Sequence, residues 1–192
     1  MPRHPSILEW CEALGPDAGD GSGDMDWSDD DVDDVIDAWS EILPDLDLTP
    51  LDVMSRLRRV ARDLHMIRER AFASAGLRAW EFDILSNLRK APNGESMTPS
   101  QLSAVTSTAT ATATYRVDRL VARGMVARTE NPDDLRSRLV TLLPEGRQRV
   151  EAAMRELVGA EAELINDLSR GQIATVVEAL RTIATASQRA ST

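Results

Sequence analysis

The sequence predicts a mainly α protein of α+β type, in which long helices enclose a small segment that carries one two-stranded hairpin. Three observations carry that prediction. Apolar residues recur at three- and four-residue spacing through most of residues 27–90 and 145–186. Residues 125–142 instead form two short runs around the turn-forming tip Asn131-Pro132-Asp133-Asp134. Pro44, Gly76, Pro92-Asn93-Gly94 and Gly124 stand where one periodic stretch gives way to the next.

Residues 1–26 read as a flexible acidic segment, with a short amphipathic piece from Ile7 to Leu14 and then the linker composition GPDAGDGSGD. Residues 27–48 hold an additional N-terminal helix, Trp27 to Leu43. Ser28 caps it, Asp29 to Asp31 suit its positive end, and Val32, Val35, Ile36 and Trp39 form its stripe before Pro44 ends it. Thr49 is expected to cap a long helix, Leu51 to Ala75, with Leu51, Met54, Leu57, Val60, Ala61, Leu64 and Ile67 facing inward. Arg78 to Lys90 is the next helix, apolar at Trp80, Ile84, Leu85 and Leu88.

The stretch from Met97 to Arg147 is the most informative. Thr98 suits an N-cap, with Pro99 at the first helical position and Gln101 completing a capping box, and Leu102 and Val105 give this short helix its apolar stripe. Thr106-Ser107-Thr108 signals a turn and cap. A second helix then runs to Arg123 and stops at Gly124. Within it Ala113, Val117 and Leu120 share one face, while Thr112, Tyr115, Arg116 and Arg119 share another, with Thr110 at the helix start. The second face offers hydroxyls, a ring and guanidinium groups, which suit base edges in a major groove and phosphates. Met125 to Arg128 leads out along a hairpin and Arg138 to Leu142 leads back. Two helices, a turn and a hairpin make a winged helix-turn-helix. It occupies residues 77–144, and residues 49–76 and 145–192 form a helical region on either side of it. In that second part, Glu145 to Leu168 and Gln172 to Ala186 are expected as two helices split by Ser169-Arg170-Gly171. Their apolar positions exceed what one small winged segment needs to cover.

A net charge of −10 runs against nucleic-acid binding, but its distribution does not. Residues 1–50 carry fifteen acids and one arginine, whereas residues 51–192 carry 21 bases and 17 acids. Lys90 is the only lysine and Cys11 the only cysteine, so no internal disulfide can form. No apolar run is long enough to span a membrane, and MPRHPSILEW does not read as a signal peptide, so a cytoplasmic location is expected. Two distant histidines and one cysteine offer no metal site. Neither a Gly-rich phosphate loop nor a nucleophile elbow occurs, so the reading is of a chain that is not an enzyme and needs no cofactor.

At TYRVDRLVARGMVAR, at the wing NPDDLRSRLV with its Asp134 and Arg136, and at the exit LLPEGR, the chain resembles the MarR family of bacterial transcription regulators. Similarity is strong over about residues 77 to 150. The wing reads Asp134-Leu135-Arg136 where the family usually has Asp-Arg-Arg, and Tyr115 stands where it often has Asn. The resemblance implies a MarR-like fold and a homodimer on palindromic double-stranded DNA, with residues 49–76 and 145–192 as the helical dimerisation region. Thr98, Gln101, Thr110, Thr112, Tyr115, Arg116, Arg119 and Arg138 would face the DNA, and Arg136, oriented by Asp134, would enter a minor groove. The additional N-terminal helix with its Trp resembles the urate-responsive branch of that family. This implies an effector site at Trp39, Asp83, Lys90 and Arg116, with Lys90 where an Arg is expected. The effector would be urate or a related purine, or a phenolic anion, and its binding would release a repressor from DNA. Two rival readings stay open: a winged module used only for protein–protein association, and a redox switch through Cys11.

Overall fold

The computed structural model describes residues 31–92, 95–132, 134 and 137–190. Two compact units divide the chain, one ending at His65 and one beginning at Met66. No helix among the described residues is long and apolar enough to cross a membrane.

The first unit contains α1 (Asp31–Ile42) and most of α2 (Thr49–Ser74). The expected start of α1 at Trp27 and its cap Ser28 lie outside the described residues, as do residues 1–26 with Cys11. Arg56 ties the two helices together, pairing with Asp33 of α1 and with Asp52 one turn back in α2 at 2.7 Å. The cap expected at Thr49 is supplied from further upstream, because the Thr49 N–H donates to Asp47 Oδ1 at 3.0 Å. Hydrogen bonds from the Thr49 side chain and backbone hold the Asp47 carboxyl below its usual range. Of the expected inward stripe of α2, Leu51, Leu57, Leu64 and Ile67 are half-buried, whereas Met54, Val60 and Ala61 are exposed. The helical period was right, but a single chain does not cover that whole face.

The second unit begins with the last turns of α2. It continues through α3 (Ala79–Lys90), β1 (Ser96–Met97), α4 (Pro99–Val105), α5 (Thr110–Ala122), β2 (Val126–Glu130), β3 (Arg138–Leu142), α6 (Pro144–Leu164) and α7 (Arg170–Ala190). The hairpin expected from the sequence is one edge of a three-stranded antiparallel sheet in the order β1-β3-β2. Val126 pairs with Leu142 and Glu130 with Arg138, while Ser96 pairs with Thr141 on the other side of β3. Alternation along β3 turns Val140 and Leu142 inward, and Thr141 joins its neighbours through hydroxyls, 2.9 Å from Ser96 and 2.8 Å from Thr129.

One core holds these elements. Phe72 stacks on Phe82 with ring centroids 3.9 Å apart, and Ile84, Leu85, Leu88, Leu102, Val117, Leu120, Met125, Val140, Val150 and Leu157 close around them. Helix α3 is its centre: Leu85 and Leu88 are fully buried. Each fully buried aliphatic side chain contributes roughly 1.5–3 kcal/mol of burial. The break between α6 and α7 falls at residues 165–169 instead of 169–171, and α7 starts at Arg170. Ser169 and Gln172 form a reciprocal cap there, with Ser169 N–H on Gln172 Oε1 at 2.9 Å and Gln172 N–H on Ser169 Oγ at 3.3 Å. No residue of α7 is buried, and Met154, Val158 and Leu164 of α6 are exposed.

Acidic and basic side chains also join the sheet to α3 and α6. Glu95, just before β1, pairs with Arg147 of α6 and lies 3.1 Å from Arg89 of α3; Arg89 Nε reaches Glu151 of α6 at 2.8 Å. That hydrogen bond from Arg89 holds the Glu151 carboxyl below its usual range. Folding therefore releases a proton from Glu151 near its ordinary value of about 4.3, so its stabilisation is complete above that pH and disappears as pH falls through the lower folded value. Urea midpoints measured from pH 7 down to pH 3 are expected to fall on the acid side, less steeply in Glu151→Gln than in the parent. A Leu85→Ala substitution is expected to cost about 2–5 kcal/mol in the same assay at pH 7.

Candidate nucleic-acid interface

Helices α4 and α5 form the helix-turn-helix. The capping box expected at the start of α4 is present: Gln101 N–H donates to Thr98 Oγ1 at 3.2 Å, and Thr98 N–H donates to Gln101 Oε1 at 2.8 Å. Thr98 and Gln101, both expected to face DNA, are thus engaged in holding the helix end. The following turn places Ser107 at φ +49° and is closed by Ser103, whose hydroxyl donates to Thr108 O at 2.6 Å. The side-chain cap expected for α5 from Thr106-Ser107-Thr108 is not made, since the residue before α5 is Ala109. The Thr108 hydroxyl instead donates to Thr106 O at 2.9 Å.

The two expected faces of α5 separate as the spacing requires. Ala113, Val117 and Leu120 are buried, at 0–2% exposure. Thr110, Thr112, Tyr115 and Arg119 are exposed on the outside, Tyr115 at 63%. Asp118, on the same side, is neutralised by Arg128 of β2 at 2.7 Å. The helix ends at its C-cap Arg123, followed by Gly124 at φ +66°, a conformation that a side chain would strain.

Arg116 departs from its neighbours. Its guanidinium lies over the Trp80 ring of α3, 5.7 Å from the centroid, and Nη1 donates to Thr108 Oγ1 at 3.2 Å. It is half-buried, turned toward α3 and away from the outer face. Trp80 is only an apolar position by sequence period, and nothing in the sequence brings it to Arg116, 36 residues away. Asp83 lies three residues beyond Trp80 on α3, hence on a neighbouring face, and is half-buried; Lys90 is the exposed last residue of that helix. Trp39, 45% exposed, belongs to the first unit.

At the wing, Arg138 and Glu130 face each other across the strand pair at 3.5 Å. The tip is held by Asn131, which is buried: its Nδ2 donates to Ser137 Oγ at 2.7 Å and its carbonyl accepts from Asp134 N–H at 3.3 Å. Arg136 lies outside the described residues, so the expected Asp134–Arg136 pair does too. Among the described residues no cluster of His, Cys, Asp and Glu could hold a metal ion.

A family model described as MarR family matches residues 75–137, from the end of α2 to the wing tip. The chain is 31% identical over 138 residues to the HTH-type transcriptional regulator PecS of Dickeya dadantii, covering 72% of this chain and 83% of that protein. It is 28% identical over 141 residues to the multiple antibiotic resistance protein MarR of Escherichia coli, covering 69% of this chain and 95% of that protein. The crystal structure of apo MarR superposes with a TM-score of 0.52 at 27% identity over 66% of this chain and 96% of the other. A structure of Bordetella bronchiseptica BpsR, whose DNA binding is regulated by 6-hydroxynicotinic acid, superposes with a TM-score of 0.54 at 26% identity over 69% and 92%.

The double role of Thr98, candidate contact and helix cap, gives a stability prediction. Thr98→Ala is expected to lower stability by about 1 kcal/mol in urea denaturation, through loss of the cap alone.

Proposed function

The chain belongs to the MarR family of transcription regulators, and on that premise we propose that it binds a palindromic DNA operator as a homodimer and is released by a small planar anion. The observation that carries the reading is the exposed Thr112–Tyr115–Arg119 face of α5, held outward by the burial of Ala113, Val117 and Leu120. Those side chains supply hydroxyl, phenol and guanidinium groups for base edges and phosphates. Thr110 and Arg138 extend the surface, and Arg136, with Asp134 two residues before it, would serve the flanking minor groove. The acidity of the whole chain does not oppose this reading, since fifteen of its 32 acids lie in residues 1–50.

Dimerisation is supported by apolar surface that one chain leaves uncovered. Val176, Val177 and Leu180 of α7, and Met154, Val158 and Leu164 of α6, are each at least 40% exposed. A partner copy that buries these helices would bring two α5 helices to successive major grooves about 34–36 Å apart. No enzymatic step enters this function, and such a regulator would work in the cytoplasm.

For the effector, Arg116, Asp83, Lys90 and Trp39 form the proposed set, and urate or a related purine fits their chemistry. A ring can stack on the planar anion, a carboxylate can accept its N–H groups, and cations can meet its charge. Lys90 supplies charge without the planar fork of an Arg, which leaves room for a phenolic anion as the natural ligand. Arg116 is the switch: drawing it onto a ligand would disturb the helix that meets the groove.

The test is a titration against the intergenic DNA upstream of the protein's own gene, at several salt concentrations, with and without urate, xanthine or salicylate. Affinity is expected to fall steeply with salt, and Arg119→Ala is expected to cost about 1–3 kcal/mol of binding. Urate is expected to weaken binding about 5- to 150-fold, an effect blunted in Trp39→Phe and Asp83→Ala. Tight binding indifferent to urate would remove the purine and leave the regulator. Absence of salt-dependent binding would favour the protein–protein module.

A further inference from the structure

We infer that Arg123 is a positioning residue for DNA binding: its guanidinium pins the C-terminal end of α5 to the turn that closes α2 and to the first turn of α3, and so sets the tilt of the DNA-facing helix. The inference rests on the proposed DNA-binding reading. Arg123 caps α5, and its Nη1 lies 2.6 Å from both carboxylate oxygens of Glu81 while its Nη2 lies 2.8 Å from Gly76 O. Glu81 is 3% exposed, and its Oε2 also accepts the Arg78 N–H at 2.9 Å, which closes the start of α3. One carboxylate and one guanidinium thus join three helix ends.

The charges suit their places. The C-terminal carbonyls of a helix carry partial negative charge that its own hydrogen bonds leave unmet. Directly after α2, Ala75 O takes Arg149 from α6 at 3.1 Å, and Gly76 O, in the turn that closes the helix, takes Arg123 from α5. Gly76 itself sits at φ +68°, which disfavours a side chain there, and a Cβ would run into the Arg149 guanidinium. The planar fork of Arg123 can meet the carboxylate and the carbonyl together, whereas a lysine ammonium on its flexible stem is a single point of charge.

Glu81 is too deeply buried to touch DNA. Any effect of Glu81 on binding by folded protein must therefore pass through its partners, and Arg123 is the one that belongs to α5. This separates positioning from the rival role of Arg123, whose side chain is 36% exposed, as a direct phosphate contact.

The experiment measures affinity for the same upstream DNA, and its salt slope, in the parent, Glu81→Gln, Arg123→Lys, Arg123→Gln and the double variant Glu81→Gln/Arg123→Gln. Circular dichroism and urea melts fix a temperature at which each is fully folded. Glu81→Gln keeps an acceptor for the Arg78 N–H, so the start of α3 remains closed; Arg123→Lys serves if it does not fold. The expected result is a loss of about tenfold in affinity for Glu81→Gln and for Arg123→Gln with the salt slope unchanged, and a double variant no weaker than the worse single one. Parental affinity in every folded variant would overturn the inference, leaving a pin that serves stability only. A salt slope reduced by about one in Arg123→Gln, with Glu81→Gln binding as the parent, would make Arg123 a phosphate contact instead. If the parent itself does not bind, the DNA-binding reading fails and takes this inference with it.

Discussion

The rest of the second unit depends on how α5 is rotated about its own axis, and that rotation is set by burial. Residues of a helix advance by about 100° each, so committing Ala113, Val117 and Leu120 to the core commits Thr112, Tyr115 and Arg119 to the opposite side. Val117 and Leu120 enter the core that also holds Leu85 and Leu88 of α3, Leu102 of α4 and Val140 of β3, and Ala113 is buried beside them in sequence on the same helix face. A slip of one position along α5 would bury charged side chains in their place, Arg116 and Arg119 in one direction or Asp118 in the other. The outer face is accurate because the inner face has no alternative.

Electrostatics then decides which arginines are left to act outward. Arg89 is held by Glu95 and Glu151, Arg123 by Glu81, Arg128 by Asp118, and Arg147 by Glu95. These pairs bind sheet and helices into one body and neutralise charge that would otherwise repel within a small domain. Arg119 makes no ion pair among the described residues, and it stands in the middle of the exposed face of α5. The modest net basicity of residues 51–192 thus understates how selectively positive charge is presented.

Local patterns were legible in the sequence and distant pairings were not. The two faces of α5, the capping box at Thr98 and Gln101, and the stop at Gly124 all follow from spacings of seven residues or fewer, where periodicity and cap chemistry act directly. Strand β1 was not foreseen because two residues, Ser96 and Met97, are too short to show a period, and they are extended only because β3 lies alongside. The stripe of α2 has the right period, yet Met54 and Val60 are exposed, since a helical period cannot say whether the covering surface belongs to the same chain. Ser169 and Gln172 carried a readable cap signal that places the start of α7, obscured by the adjacent Gly171. The Arg123–Glu81 pair spans 42 residues and the Arg116–Trp80 contact 36; no local rule joins residues so far apart.

Arg116 sets the scale of energy that the proposed switch involves. A guanidinium over an indole ring contributes about 0.5–1 kcal/mol at an exposed site and about 2 when desolvated. Its hydrogen bond to Thr108, donated by a charged guanidinium, adds a net of roughly 1.5–3 kcal/mol. Giving up these two contacts costs on the order of 2–5 kcal/mol, which overlaps the roughly 1–3 kcal/mol typical of coupling between two ligands and has to be met by the contacts the effector makes. Thr108 lies in the turn that leads into α5, so the same bond that holds Arg116 also ties down the turn from which the DNA-facing helix starts. A planar anion that competes with Trp80 for the guanidinium would release both together. On the proposed reading no large rearrangement is required, because a single side chain already joins the effector set to the start of the helix that enters the groove.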